Sequence, residues 1–258
     1  MASVYTTEIA SDSVASDNPI HQRLLKAYVL AQDQVKGDLL EVGCGEGRGI
    51  DWLIPKVTSY SAIDKIAPVI ELLKQKYPGA KFISGNIPPL AAYPDNSFDC
   101  IVSFQVIEHI QDDKMFLKEI SRVLKPGGLA LITTPNRPMS LSRNPWHTRE
   151  YTATELTDLA RPFFTTVEMK GITGNEKVMQ YYDRNKASVN KMMKWDIFDL
   201  QYKLPASILR IPYEILNRMN RNKLKDSADD LVKSIQHTDY LLVDDASMAL
   251  DLFLIVKK

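Results

Sequence analysis

The stretch Leu39-Leu-Glu-Val-Gly-Cys-Gly-Glu-Gly-Arg-Gly49 joins an apolar run directly to a loop with glycine at every second position. Glycine has no Cβ and adopts positive φ at little cost, so the backbone N–H groups of such a loop can lie close to a bound ligand. The stretch therefore predicts a buried strand followed by a nucleotide-type binding loop. The dinucleotide pattern G-x-G-x-x-G fails in both registers, because Arg48 and Ile50 stand where a third glycine would be needed. A P-loop is also excluded, since no Gly-Lys-Ser or Gly-Lys-Thr follows.

Two acidic residues suggest which ligand the loop binds. Asp64 ends a second strand-like run, and a carboxylate at that end of a neighbouring strand can accept hydrogen bonds from both hydroxyls of a ribose. Glu41, just before the loop, is expected to add a second negative charge facing the same crevice. This charge suits a cationic ligand better than a pyrophosphate. The combination indicates S-adenosylmethionine, which carries a sulfonium and an ammonium group.

The sequence resembles the class I S-adenosylmethionine-dependent methyltransferases in five motifs that occur in the family's order. They are Glu41-Val-Gly-Cys-Gly-Glu-Gly47, Asp64, Gly85-Asn-Ile87, Asn96-Ser-Phe-Asp-Cys-Ile-Val-Ser-Phe-Gln-Val-Ile-Glu-His109 and Leu124-Lys-Pro-Gly-Gly128. The resemblance covers roughly residues 21–170 and returns at the C-terminus. Three further segments resemble a bacterial methyltransferase type 11 branch related to ubiquinone-pathway O-methyltransferases: Val106-Ile-Glu-His109, Thr133-Thr-Pro-Asn136 and Asn144-Pro-Trp-His-Thr-Arg-Glu-Tyr-Thr152.

Alternating strand and helix patterns predict a doubly wound α/β fold. Strands are expected near 38–43, 58–63, 80–84, 99–104, 128–133, 163–171 and 248–257, with helices over 18–36, 67–77 and 113–124 between or before them. The resemblance implies a Rossmann-like, seven-stranded, mostly parallel sheet with an antiparallel last strand and a helical insertion. We divide the chain into an N-terminal segment with a capping helix (1–36), the cofactor-binding core (37–171), the insertion (172–237) and the final strands of the core (238–258).

Composition indicates an ordinary enzyme domain rather than a nucleic-acid-binding or secreted protein. The 258 residues are 45% hydrophobic and carry no formal net charge, so the sequence gives no support to a nucleic-acid partner. No apolar run approaches the ~18 residues needed to span a bilayer, and residues 1–17 lack the pattern of a signal peptide. The chain has only two cysteines, Cys44 and Cys100, so a disulfide framework is not expected. We expect a reducing, cytoplasmic location.

The resemblance assigns cofactor contacts to eight positions. Gly43 and Gly45 would border the methionine moiety, with Gln105 lining the same end and Glu41 supplying charge nearby. Asp64 would hold the ribose. The adenosine would be bordered by Lys65, Asn86 and Ile87. Asn86 departs from the aspartate usual in the family, but an amide can still accept from the adenine amino group and donate to a ring nitrogen.

Three residues are candidates for catalysis. Methyl transfer to a hydroxyl needs in-line placement of the acceptor and removal of its proton, for which histidine is the natural base. Gln105, Glu108 and His109 are spaced i, i+3 and i+4, which predicts one face of a helix beginning beside the methyl group. His147, from an Asn/Pro/Trp/Arg-rich loop, is expected to reach the same space. A structural role for His109, as a capping or core imidazole, is an equally open interpretation.

A metal site is the alternative use of these residues. Some relatives, including plant-type small-RNA 2′-O-methyltransferases, have Glu at the position of Gln105 and bind a divalent metal through a Glu-x-x-Glu-His face and a later histidine. A neutral amide is a weaker ligand for a hard dication, so Glu108, His109 and His147 form a partial set and no metal is expected here. An RNA substrate is accordingly the less favoured interpretation.

The sequence thus predicts a methyltransferase that uses S-adenosylmethionine, releases S-adenosylhomocysteine and O-methylates a small metabolite or a glycan or lipid precursor. A catalytically inactive cofactor-binding module and a nicotinamide oxidoreductase are the alternative classes. The insertion, in which Ile197–Met219 has helical spacing interrupted by Pro205 and Pro212, is interpreted as a substrate lid or dimer surface in a monomer or homodimer. The more specific alternative is that the insertion makes peripheral membrane contact with a lipid-like acceptor.

Overall fold

The computed structural model describes residues 14–194, 196 and 199–258, which form an α/β fold around one mixed sheet. Five strands are parallel: β1 (Asp38–Val42), β2 (Ser59–Asp64), β3 (Lys81–Ser84), β4 (Phe98–Phe104) and β5 (Leu124–Pro135). The other three strands are β6 (Thr166–Gly174), β7 (Tyr240–Val243) and β8 (Asp251–Lys257). The strand order is β3-β2-β1-β4-β5-β8-β6-β7, so the chain reverses direction across the sheet between β1 and β4. Ligands bind at such a switch point in open α/β sheets.

Helices cover both faces of the sheet, as a doubly wound fold requires. The helices are α1 (Asn18–Ala31), α2 (Ile50–Leu53), α3 (Ala67–Lys76), α4 (Asp113–Val123), α5 (Ala153–Ala160), α6 (Glu176–Met193), α7 (Leu200–Lys203), α8 (Ala206–Ser227) and α9 (Asp229–Ser234). Side chains from α1, α2, α3, α6, α8 and α9 share one apolar cluster with one face of the sheet. Side chains from α4 and α5 share a second cluster on the other face.

The sequence determines α4 by its cap and its apolar stripe. Asp112 caps the first turn by accepting a hydrogen bond from the Met115 N–H at 2.9 Å. Phe116, Leu117 and Ile120 recur at helical spacing and are fully buried. The helix ends at Val123 because the chain passes directly into β5, which keeps the glycine pair Gly127-Gly128 near the amino end of the strand.

The fold prediction is confirmed in its class and in the antiparallel last strand, β8, which inserts between β5 and β6. The sheet has one strand more than the seven predicted. The additional strand, β7, has only four residues and pairs with β6 alone, so it is an edge strand whose Leu241 and Leu242 are exposed. Such a short edge strand has no buried-face alternation by which a sequence pattern could detect it.

Some predicted elements lie partly outside the described residues. The N-terminal segment is described only from residue 14, and Ile197 and Phe198 of the predicted helical stretch are not described. β6 extends to Gly174, and the helices of the insertion begin at Glu176. Among the described residues, none of the helices combines the length and the apolar character required to cross a membrane.

Candidate active site at the carboxyl ends of the parallel strands

The glycine loop follows β1 and leaves open space above one residue. Gly45 has φ +50°, and a Cβ built on it would meet no heavy atom within 4 Å. Its N–H donates to Asp64 Oδ2 at 2.8 Å, while the Gly43 N–H donates to the Ile63 carbonyl at 2.8 Å. The loop is therefore held against the end of β2, and the space beside Gly45 is open to a ligand.

Asp64 connects the loop to the turn after β2. Its second oxygen, Oδ1, accepts a hydrogen bond from the Ile66 N–H at 2.9 Å. Each carboxylate oxygen has a further lone pair, so these backbone contacts fix the carboxylate without exhausting its capacity to accept. Asp64 is 7% exposed and lies where the sequence predicts the ribose contact.

Glu41 does not face the crevice as predicted. It is 1% exposed, and its carboxylate accepts hydrogen bonds from the phenol hydroxyls of Tyr28, at 2.7 Å, and Tyr60. Burial raises the pKa of Glu41 to about 7, against the lowering effect of the two phenols, so its negative charge is only partial near neutral pH. Successive side chains of a strand point to opposite faces of the sheet, so Glu41 points away from the face to which Leu40 belongs. It lies on the face covered by α1, where Tyr28 and Tyr60 also lie.

The predicted adenosine contacts follow two neighbouring strands. Lys65 is exposed directly after β2. Asn86 is exposed and Ile87 is half-buried against the second apolar cluster, both in the turn after β3. These positions lie at the carboxyl ends of adjacent parallel strands, so the structure brings them to the same edge of the sheet as Asp64 and Gly45.

Gln105 is not part of a helix, which corrects the predicted i, i+3, i+4 face. It follows β4 in the left-handed region at φ +58°, and only a single 3₁₀ turn, Ile107–His109, comes after it. Its amide Nε2 lies 3.3 Å from both Thr133 Oγ1 and Asp251 Oδ1. The turn ends at His109, because the next residue, Ile110, is extended. The spacing alone could not distinguish such a single turn from a longer helix.

Glu108 is buried beneath the site. Thr134 Oγ1 donates to Glu108 Oε2 at 3.0 Å, and the Glu108 carbonyl accepts from the Thr148 N–H at 2.7 Å. Burial raises the pKa of Glu108 to about 7. The residue thus connects β5 to the loop that carries His147.

His109 is oriented by the same loop. Its Nδ1 lies 3.1 Å from the Trp146 carbonyl, and because a carbonyl oxygen only accepts, Nδ1 carries the proton and Nε2 the lone pair. Burial, assisted by the neighbouring His147, lowers the pKa of His109 to about 4. The ring is therefore a neutral imidazole near neutral pH, which is the form that can accept a proton.

His147 lies edge-on to His109, with 5.0 Å between the ring centroids. Its Nδ1 is 2.7 Å from Glu150 Oε1, and its Nε2 is 2.8 Å from the Asn144 amide nitrogen. The ring is half-buried, because the loop folds back over the 3₁₀ turn.

The structure thus brings the three predicted catalytic residues together. One possible ligand atom from each of Glu108, His109 and His147 lies within 4.8 Å of the other two. Imidazole and carboxylate groups at this separation could hold a cation, although Gln105 turns its amide towards Asp251. That no metal is needed remains a prediction.

Sequence reasoning missed one ion pair and one hydrogen-bonded pair around the site. Arg23 of α1 donates through Nε to Asp251 Oδ2 at 2.6 Å and through Nη2 to the Leu250 carbonyl at 2.6 Å, which fixes the start of β8 beside Gln105. Glu150 anchors His147 and accepts from Ser140. An aspartate inside the apolar run 249–256 and a glutamate three residues after a histidine were the available signals.

Part of the chain is similar in sequence to known methyltransferases. Residues 40–132 match the family model described as a methyltransferase domain. A probable S-adenosylmethionine-dependent methyltransferase of Mycolicibacterium smegmatis is 42% identical over 127 residues, which are 47% of this chain and 49% of the relative. A fatty-acid O-methyltransferase of the same organism is 32% identical over 40% of this chain and 39% of its own length. The chain thus spans half or less of the length of these relatives.

The fold also matches solved structures. A possible histamine N-methyltransferase from Thermotoga maritima superposes with a TM-score of 0.57 over 93% of this chain and 91% of that protein, at 15% sequence identity. At this identity the match shows the fold alone. It carries no information on the acceptor.

Proposed function

We propose that this chain, which belongs to the class I S-adenosylmethionine-dependent methyltransferases, O-methylates a small metabolite or a glycan or lipid precursor. The observation that carries the proposal is the meeting of Glu108, His109 and His147. A Cβ on Gly43 would meet the side chain of Val106, which directly precedes the turn that carries Glu108 and His109, so this turn adjoins the glycine loop.

The residues of the crevice fit the cofactor that this family uses. Open space above Gly45 accommodates the amino-acid end, which Gly43 and Gln105 would also border. Asp64 retains lone pairs for the ribose hydroxyls. Lys65, Asn86 and Ile87 would border the adenosine. Glu41 would act indirectly, by accepting the hydrogen bond that holds Tyr28 in place. The ring of Tyr28 packs against the loop at the position that a Cβ on Gly49 would take.

When bound, S-adenosylmethionine supplies an electrophilic methyl group on a positively charged sulfur. The remaining task for the protein is to orient the acceptor and take its proton. His109 is proposed as the base, because the Trp146 carbonyl fixes the tautomer with the lone pair on Nε2. His147, anchored by Glu150, is proposed to line the acceptor side of the same space, and Glu108 to stabilise the imidazolium that forms.

A lipid-like acceptor has the most support among the acceptor classes. The fatty-acid O-methyltransferase relative acts, by its name, on a lipid. The insertion of this chain also exposes a row of large apolar side chains close to the loop that bears His147. An acceptor that is a polar metabolite would not need an exposed apolar surface beside the site.

The proposal is tested by methyl transfer from labelled S-adenosylmethionine to a matched pair of acceptors, a long-chain alcohol and the fatty acid of equal chain length. We expect transfer to the alcohol, because His109 can remove the hydroxyl proton, and we expect it to persist after exhaustive chelation. Transfer to the fatty acid alone would contradict the proton-removal role, since a carboxylate needs no base.

Two further outcomes of this assay discriminate the alternatives. Binding of cofactor with no transfer to lipid, glycan or metabolite hydroxyls would favour the inactive module. Activity that is lost on chelation and restored by one divalent metal would instead make Glu108, His109 and His147 its ligands. RNA oligonucleotides are then the acceptor to assay next.

A further inference from the structure

Helix α8 exposes an apolar face that the fold leaves uncovered. Ile208, Ile211, Ile215 and Met219 recur at intervals of three and four residues and are 55–72% exposed. We call these four residues the α8 face. Leu216 beside them, and Leu200 and Tyr202 on the preceding α7, are also exposed. Among the described residues, helices α7 and α8 hold most of the large apolar side chains that face solvent. Single exposed apolar residues elsewhere are ordinary.

The opposite side of α8 explains why the helix is held in this orientation. Arg221 and Leu224 are buried, and Arg221 Nη1 donates to the buried Asp17 at 3.1 Å. The Asn220 amide donates to Asn185 Oδ1 of α6 at 2.7 Å. The helix is therefore fixed by its polar and buried contacts, and the α8 face points outward.

Residues 176–227, which contain α6, α7 and α8 and which we call the basic segment, carry a net charge opposite in sign to that of the rest of the chain. Residues 176–227 contain 11 Lys or Arg and six Asp or Glu, a formal charge of +5. Because the whole chain has 32 residues of each sign and no net charge, the remainder carries −5. An exposed apolar helix face within a basic segment is the pattern of helices that lie in the plane of a membrane interface.

The α8 face adjoins the candidate active site across the width of one helix. The Arg210 guanidinium lies 4.1 Å from the ring centroid of Trp146, and Trp146 Nε1 donates to Glu214 Oε1 at 3.1 Å. Trp146 also supplies the carbonyl that orients His109. A surface bound by the α8 face would thus lie about one helix diameter, ~10 Å, from the loop that holds the histidines.

We propose that the α8 face binds the surface of an anionic lipid bilayer, with Ile208, Ile211, Ile215 and Met219 inserted at the headgroup boundary. Anionic bilayers attract basic segments, and apolar side chains gain by leaving water there. A symmetric dimer through the same face is disfavoured, because a two-fold axis would oppose two segments that each carry +5. This inference concerns binding and goes beyond the proposed methyl transfer.

The test is flotation of the full chain with vesicles of phosphatidylcholine containing phosphatidylglycerol, without cofactor or acceptor. We expect the wild-type chain to float with these vesicles, and less with phosphatidylcholine alone. The double variant Ile211→Ser/Ile215→Ser should bind at least about tenfold more weakly, because it removes two inserted apolar side chains. Raising the ionic strength from about 0.1 M to 1 M should also weaken binding.

The matched control is Leu72→Ser/Met248→Ser, which removes two side chains that are each 63% exposed outside the segment. Its vesicle binding should equal that of the wild type, and thermal unfolding should show both double variants folded. Absence of flotation, or equal loss in both double variants, would overturn the proposal. So would a wild-type dimer in size-exclusion chromatography that Ile211→Ser/Ile215→Ser converts to a monomer, since a second copy would then cover the face.

Discussion

Gly45→Val is expected to weaken binding of S-adenosylhomocysteine by at least about 100-fold. A Cβ at Gly45 projects into open space beside the loop, where it meets no protein atom within 4 Å. The two valine methyl groups would therefore occupy the space that we assign to the amino-acid end of the cofactor. The loss should be visible by titration calorimetry as the absence of heat at concentrations that saturate the wild-type chain.

Gly127→Val is the matched control for this experiment. Gly127 also has positive φ, +75°, and a Cβ there also meets nothing within 4 Å, but it lies at the amino end of β5, away from the crevice. Both variants thus carry similar backbone strain, which thermal unfolding will measure. If Gly45→Val is as stable as Gly127→Val and retains wild-type affinity, the loop assignment is wrong.

His109→Asn is expected to lower kcat roughly 100-fold or more while leaving the affinity for S-adenosylhomocysteine within about twofold. An asparagine amide can replace Nδ1–H as the donor to the Trp146 carbonyl, but it has no basic nitrogen in place of Nε2. The substitution therefore removes the base and retains the contact that orders the loop.

His237→Asn serves as the control histidine variant. His237 lies edge-on to Trp52 and has no part in the proposed chemistry, so the kcat of His237→Asn should remain within about twofold of the wild type. A wild-type kcat in His109→Asn would remove His109 as the base. Unchanged stability in both variants is required for the comparison.

Local patterns predict much of this architecture. The run at 39–42, its glycine loop and Asp64 could be predicted because a buried strand, a positive-φ loop and a strand-end carboxylate each require particular residue types at fixed spacing. The stripe of Phe116, Leu117 and Ile120 likewise predicts α4, since a helix buries one face.

Contacts between distant segments could not be predicted in the same way. Glu41 turns to Tyr28 and Tyr60 because β1 alternates its faces, and the sequence does not say which helix covers which face. Arg23 and Asp251 are 228 residues apart, yet they pair beside Gln105. The meeting of His109 and His147 was expected, but the fixing of their orientation by Trp146 and Glu150 depends on how the loop folds back.

The central claim is that the crevice bordered by Gly45 and Asp64 binds the cofactor through its ribose. It is tested most directly by titrating S-adenosylhomocysteine into the wild-type chain and Asp64→Ala. The Asp64 carboxylate is held by the Gly45 and Ile66 N–H groups with lone pairs left for the ribose hydroxyls. Losing charge-assisted hydrogen bonds should cost about 2–3 kcal/mol, roughly a 30- to 150-fold rise in Kd. Equal affinity in the two proteins would contradict the account.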